Sequence, residues 1–337
     1  MLKKNYLIKT GVIGLGVGAR HADIYKKSKH CKLVYLCDFN EKFKLIANKK
    51  YKCDFTRNSN KVLKNNNIDL VSIASYDNYH SEQIILSIRK KKHIFVEKPV
   101  CQTYKQYKDI KKLLKKNKKI KVSSNLVLRS HAKFKKIFDL LKKDKIGKVY
   151  HIEGEYNYGR LNKITEGWRG KIPFYSVTQG GGVHIIDLFT WFLGSEIESV
   201  VAVGNKLMTK GTRFRYPDTV TVLLKFKNGA TAKLTSNYSC VLPHHHSMSV
   251  FGSKGTLIAS RENLFFYNSR KKNFKVKKIK TFNKKNYKDK VLESFVSFIK
   301  TGFKKPLIEK KNVFNSMAVC LTIDKSLISK KWEKVKY

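Results

Sequence analysis

Short apolar runs recur through the first third of the chain, at Ile8–Leu15, Leu33–Cys37, Leu70–Ala74, Ile94–Val96 and Ile120–Val122. Amphipathic stretches lie between them, near 20–28, 41–49, 79–90 and 103–117. In the last of these, Tyr107, Ile110, Leu113 and Leu114 make one stripe and lysines take the opposite, solvated face. Strands alternating with helices of this length predict an α/β domain with a parallel, doubly wound sheet. After Ser124 the period changes. A helix at about 131–143 and Gly147 precede long period-two alternations at Val149–Tyr158, Ser199–Leu207, Thr219–Lys227, Ala230–Tyr238 and His246–Ile258. Asn228-Gly229 is a hairpin signal. Strands near 263–268 and 274–281 and helices near 286–301 and 309–330 complete an α+β domain with a large, mostly antiparallel open sheet. The expected domains are 1–123 and 124–337. With no Pro- or Ser-rich linker and no internal repeat, they are expected to abut closely.

One strand ends unusually. In HIFVEKPV, His93 to Val100, the apolar run stops on Glu97-Lys98-Pro99. Lysine is rarely buried without a partner, and proline cannot donate within a sheet. The two charged groups therefore stand at the strand's mouth, which in an open parallel sheet is where ligands bind.

Composition narrows the partners. The formal charge is +48, but 62 of the 72 basic residues are Lys and 10 are Arg, whereas phosphate and base recognition favours Arg. Lys and the 23 Asn share A-rich codons, so a biased genome accounts for the excess, and no nucleic-acid partner is expected. No apolar run is long enough to span a membrane, and no membrane partner is expected. MLKKNYLIKTGVIG runs straight into a strand without a cleavage site, so no signal peptide is expected. The six cysteines lack CxxC spacing and read as thiols of a cytoplasmic protein.

Gly14-Leu15-Gly16-Val17-Gly18-Ala19 follows the first strand and opens a helix. Glycines there allow a tight turn and a close backbone approach to a pyrophosphate held at the helix N-terminus. The second strand ends at Asp38, where an acid can bind both ribose hydroxyls of NAD. No Arg follows to accept a 2′-phosphate, so NAD is favoured over NADP. The first domain thus reads as a Rossmann sheet.

GLGVGARHA, IDLVSIASYDNYHSEQ and KKHIFVEKPV, in this order, resemble the glucose–fructose oxidoreductase, inositol dehydrogenase and rhizopine-catabolism (Gfo/Idh/MocA) family. In the second domain IGKV, GGGVHIIDL, DTVTVLLKFKNGATAKLTS and VFGSKGTL resemble its sheet domain. The resemblance implies that Lys98 is catalytic, beside the nicotinamide and the reacting carbon. It implies that Glu97 lies near the cofactor ribose, and that Ser75, Asn78 and His80 also contact the cofactor. A lysine in a partly desolvated site is lowered toward neutrality and can exchange the alcohol's proton, or as a cation stabilise an alkoxide. His184 matches the family histidine that contacts the substrate hydroxyl. Many members carry an aspartate four residues before it, where this chain has Gly180. Asp187, three residues after His184, either orients the ring or makes a cap or structural hydrogen bond. The run Gly180-Gly181-Gly182 lets the backbone crowd against a ligand.

Asn125 and Arg129 open the second domain, and Tyr158, Arg160, Trp168 and Arg169 lie on a long loop before the glycine run. Arginine is otherwise scarce, and these suit a carboxylate or phosphate on the substrate, with salt bridges within the loop as the alternative. His244-His245-His246 has two members on one strand face and no further ligand nearby, so no metal is expected. The expected activity is NAD-dependent oxidoreduction of a CH–OH carbon in a sugar, sugar acid or sugar nucleotide. The alternatives are reduction of another cyclic carbonyl or imine, or an inactive NAD-binding sensor or scaffold. Apolar residues on both faces of Thr219–Lys227, with the resemblance, imply a homodimer or homotetramer.

Overall fold

The computed structural model describes residues 6–337; residues 1–5, part of the stretch read for a signal peptide, lie outside the described residues. The chain forms two compact units. The first runs to Leu126 and regains Lys288–Phe314; the second holds Val127–Tyr287 and Asn315–Tyr337. Sequence order alone placed 288–314 with the second half.

The first unit alternates β1 (Ile8–Ile13), α1 (Gly18–Lys27), β2 (Cys31–Cys37), α2 (Lys42–Ile46), β3 (Asp54–Thr56), α3 (Ser59–Lys64), β4 (Leu70–Ile73), α4 (His80–Arg89), β5 (His93–Val96), α5 (Tyr104–Lys116) and β6 (Val122–Ser124). The six strands are parallel in the order β3-β2-β1-β4-β5-β6. That order reverses between β1 and β4, which opens a crevice at the carboxyl ends of the strands. Central strands are buried throughout, as in Leu70–Ile73 and Ile94–Val96, because helices cover both faces. Thr103 caps α5 through a reciprocal capping box with Gln106. β3 and α3 have no counterpart among the elements expected from the sequence. Their run, DFTRNSNKVLK, is short and mostly polar, and α3 starts on an Asn58 side-chain cap rather than on an apolar stripe.

The second unit contains α6 (Ala132–Lys142), β7 (Val149–Asn157), α7 (Asn162–Thr165), α8 (Val183–Leu193), β8 (Ile197–Asn205), β9 (Thr219–Phe226), β10 (Thr231–Asn237), β11 (His245–Gly252), β12 (Gly255–Ala259), β13 (Leu264–Tyr267) and β14 (Lys277–Ile279). α9 (Asp289–Thr301) falls in the first unit, α10 (Lys310–Ser329) crosses the division at Phe314, and β15 (Glu333–Lys334) closes the chain. The sheet order is β14-β13-β12-β11-β7-β10-β9-β8-β15, antiparallel except where β7 and β10 run parallel. Val220, Val222, Leu224 and Phe226 point into the core, whereas Leu223 on the other face is exposed. The single strand expected at His246–Ile258 is instead the hairpin β11–β12, turned at Ser253-Lys254. Gly252 permits the bend, since a Cβ there would meet the Ile146 carbonyl oxygen at 2.1 Å.

In the first unit α9 completes the core beside β5: Phe95 and Phe295 rings sit 5.9 Å apart. Ser123 Oγ donates to the Ile308 carbonyl at 2.8 Å, fixing the returning segment to β6.

Candidate active site

The glycine loop in the first unit has separable reasons for its composition. Gly14 has a φ of +84°, and a Cβ there would lie 2.3 Å from the Ala74 carbonyl oxygen, so the turn admits no other residue. A Cβ on Gly16 would meet nothing within 4 Å, leaving the open side that a pyrophosphate needs. Gly18 seats α1 against Val12 and Ala74. Val17 is exposed at the helix start, followed by Ala19. Asp38, at the end of β2, is tied to this loop: Oδ2 accepts from Leu15 N at 2.6 Å, and Oδ1 accepts from Asn40 N at 2.8 Å. A carboxylate so anchored meets a ribose without having to be ordered first. The buried Asn78 Oδ1 has no hydrogen-bond partner among the described residues, which leaves an acceptor for a ligand donor. These residues fit a dinucleotide.

Two residues expected on the cofactor act locally as braces. His80 places Nδ1 2.7 Å from the Pro99 carbonyl and Nε2 3.0 Å from the Ser75 carbonyl, so it ties the end of β4 to the turn after β5. Ser75 Oγ donates to Gln83 Oε1 at 2.7 Å. Next to Lys98, Glu97 is buried: Asn125 Nδ2 donates to Oε1 at 2.6 Å, and His21 Nε2 lies 3.3 Å from the same oxygen. Burial alone would raise this carboxyl; His21, the Lys98 charge and Asn125 more than offset it and hold it at about 2. Asn125 was read with the substrate residues of the second domain, yet it lies in the first unit and holds Glu97. His21, one turn into α1 inside the quoted GLGVGARHA, was missed. Its burial on an otherwise helical face was the only signal, and burial is not visible in a single sequence.

In the second unit, residues 178–182 form a π-helical turn that leads into α8 and His184. His184 is nearly buried and lies parallel to the Tyr156 ring at 6.1 Å. Arg129 and Asp187 meet each other: Nε and a terminal nitrogen donate to the two carboxylate oxygens at 2.8 and 2.7 Å. The pair is buried, and Arg129 also lies over Trp191. Burial pushes the Asp187 carboxyl up, and the guanidinium opposes it. Asp187 is therefore committed to Arg129, which braces the start of α6 against α8. Tyr158 packs 4.6 Å from Tyr238 with Arg160 over its ring. Arg169 lies over Trp168 and donates from Nε to Tyr175 Oη at 3.1 Å.

Protein side chains crowd the glycine run. A Cβ on Gly180 would meet Tyr175 Oη at 2.1 Å, one on Gly181 the Tyr156 ring at 2.5 Å, and one on Gly182 Ser236 Oγ at 2.4 Å. Tyr175 and Tyr238 join through their hydroxyls at 3.1 Å. Asp324 of α10 accepts from Ser176 Oγ at 2.7 Å and from Gln179 Nε2 at 2.6 Å, and burial raises it to about 6. Tyr175, Tyr238 and Asp324 carried no motif, because their meeting depends on the fold. His244 and His246 pack on Tyr156, and burial with the surrounding histidines pushes His246 well below its usual range. Among the described residues no group of three His, Cys, Asp or Glu is arranged to hold a metal ion, and no helix is long and apolar enough to cross a membrane.

Comparison with known proteins agrees with this arrangement. Residues 8–126 match the model for the oxidoreductase family with an NAD-binding Rossmann fold, and residues 134–258 match the GFO/IDH/MocA C-terminal domain. The chain is 28% identical over 311 residues to myo-inositol 2-dehydrogenase of Thermotoga maritima, covering 87% of each. It shares the fold of scyllo-inositol dehydrogenase from Lactobacillus casei with bound NAD(H) and scyllo-inositol (TM-score 0.78, 19% identity, 98% of this chain and 99% of that one). A levoglucosan dehydrogenase with NADH and levoglucosan superposes with a TM-score of 0.85 at 18% identity, covering 98% of this chain and 100% of the other. The chain belongs to the Gfo/Idh/MocA family of NAD-binding oxidoreductases.

Proposed function

We propose that the chain is an NAD-dependent dehydrogenase moving a hydride between nicotinamide and a hydroxyl or keto carbon of a sugar, sugar acid or sugar nucleotide. The observation that carries the reading is Lys98, set after a buried, ionised Glu97 at the carboxyl end of β5, in a sheet whose glycine loop is locked to Asp38. The inositol and levoglucosan dehydrogenases support a cyclic, polyhydroxylated substrate.

The nicotinamide supplies the hydride acceptor or donor when bound. The chain's own groups handle the rest. Lys98 takes the alcohol proton or returns it, and in its charged form offsets the developing alkoxide. Glu97 stays anionic beside it because His21 and Asn125 hold it so, which orders the end of the strand. His184, packed against Tyr156 in the second unit, is the residue there proposed to contact a substrate hydroxyl. Asp38 binds the ribose and disfavours a 2′-phosphate by charge repulsion, so NAD is preferred to NADP. Arg129 and Asp187 act as a brace for His184's helix and are not an anion clamp; Tyr158, Arg160, Trp168 and Arg169 remain the substrate-facing set. The protein works in the cytoplasm as a homodimer or homotetramer.

The test is reduction of NAD, followed at the nicotinamide absorbance band, with a panel of inositols, aldoses, uronates and sugar nucleotides. Turnover on a member of the panel supports the reading and removes the sensor alternative. Tight NAD binding with no turnover on any polyol sinks it.

A further inference from the structure

Phe39 stands directly after Asp38, and 64% of it is exposed. Its backbone nevertheless has little freedom. Asp38 N donates to the Thr56 carbonyl at 3.2 Å, and Asn40 N donates to Asp38 Oδ1 at 2.8 Å. Asn40 in turn accepts from Lys42 N on its side chain at 3.1 Å and from Phe43 N on its carbonyl at 3.2 Å. The residues on both sides are thus pinned, and the ring is held toward water on a fixed stem. So exposed a ring gains little from folding, because burial is what stabilises an aromatic side chain.

The ring it meets comes from the other side of the glycine loop. Tyr76 follows Ala74 and Ser75, whose backbone atoms crowd Gly14. The Phe39 and Tyr76 ring centroids are 5.7 Å apart, with the planes tilted by 59°. In the sheet, β2 and β4 flank β1, so these rings, one after each flanking strand, meet over the carboxyl end of β1. Their contact spans the glycine loop beside the carboxylate tied to Leu15 N.

We propose that Phe39, backed by Tyr76, is the platform on which the adenine of NAD stacks. Connectivity gives the placement. The pyrophosphate approaches the open side at Gly16, and Asp38 is the acid placed for the adenosine ribose. A base is joined directly to its ribose, so it lies within one ring's reach of Asp38, and Phe39 is the next residue. A base inserted between Phe39 and Tyr76 would have to part them, whereas the exposed face of Phe39 requires no movement. Stacking uses the face of the base and not its edge, so Phe39 reads a flat ring while Asp38 reads the sugar. The inference concerns the cofactor alone and holds whichever alcohol is oxidised.

The probe is ADP-ribose, which carries the adenine, the pyrophosphate and both riboses but no nicotinamide. In titration calorimetry on the full chain, Phe39→Ala should bind ADP-ribose and NADH roughly 10-fold or more weakly than wild type. It should melt within a few degrees of wild type, because an exposed ring contributes little to stability. Tyr76→Ala should weaken binding less and add little in a Phe39→Ala background, because it acts through that ring. Phe39→Trp gives the first unit an indole, since Trp168, Trp191 and Trp332 all lie in the second. Adenine stacked on that indole should quench its emission as ADP-ribose is added. ADP-ribose absorbs too far to the blue to drain indole emission by energy transfer, so the loss reports contact. Wild-type affinity for ADP-ribose in Phe39→Ala overturns the proposal, as does emission in Phe39→Trp that saturating ADP-ribose leaves unchanged. Wild type that binds NADH but not ADP-ribose overturns it too. No sugar enters these experiments, so failure of the dehydrogenase reading leaves every outcome decisive.

Discussion

Glu97 Oε1 lies 3.3 Å from His21 Nε2 and 2.6 Å from Asn125 Nδ2, and the carboxyl is held at about 2. A carboxyl depressed on folding contributes stability that is fully present above its unfolded value near 4.5 and is lost as pH falls through about 2. The shift corresponds to roughly 3 kcal/mol. Urea unfolding of wild type should therefore weaken between pH 5 and pH 2 more than that of Glu97→Gln. Equal slopes in the two proteins would show that the His21 and Asn125 contacts do not favour the charged form.

Lys98→Met keeps most of the side-chain length and removes its charge and its proton. NAD affinity should hardly change, because the loop at Gly14 and the anchored Asp38 lie on other strands. Single-turnover hydride transfer should fall about 100-fold or more. His184→Ala should slow it too, and the two losses should not multiply if both groups serve one oxygen. A wild-type rate in Lys98→Met would reduce Glu97-Lys98-Pro99 to a strand terminus.

Asp38 holds the glycine loop through Leu15 N and is also the proposed ribose ligand. Asp38→Ser should cost roughly 10-fold in NAD affinity and narrow the gap to NADP, since it loses charge repulsion together with the Leu15 N bond. Calorimetry on the wild type decides the premise: NADP binding as tight as NAD contradicts it.

Arg129 and Asp187 are buried together in two-point contact. Arg129→Met leaves a buried carboxylate unpaired and should destabilise the protein by about 3–5 kcal/mol, whereas Arg129→Met with Asp187→Leu should recover most of that. A cycle measured by urea denaturation checks it. A single-variant loss near zero would mean that Asp187 relaxes onto another partner.

On the open face of the large sheet, Val201, Leu223, Lys233, Glu153, Ser249, Ile258 and Phe265 form one row across neighbouring strands, and none is buried. Val203 is 69% exposed and Leu223 49%, a cost that a second copy would relieve. Leu223→Glu should shift light scattering toward the monomer mass. Wild type that is already monomeric at micromolar concentration removes this proposal.

Much of this architecture was legible from the sequence. The β1 loop, Asp38 and the β5 terminus announced themselves because glycine, an acid and proline at fixed offsets each have a local physical cause. The long strands of the second sheet showed because one face is buried and the other is not, so Val220, Val222, Leu224 and Phe226 repeat at period two. What stayed hidden depends on contacts between distant residues. His21 meets Glu97 across the sheet, Arg129 takes Asp187 out of reach of any simple motif, and Tyr175 fills the space of Gly180. Three adjacent glycines could be read as room for a ligand, but nothing in the sequence says that tyrosines and a serine occupy that room.

The return of α9 to the first unit also sets an order in time. During synthesis the strands of the parallel sheet leave the ribosome long before Phe295 and Ile308 are made, so β5 and β6 wait with an uncovered flank while the whole second sheet emerges. The nascent first unit is thus an unfinished body through most of translation, and a fragment cut at its apparent boundary after Leu126 would keep that flank bare for good.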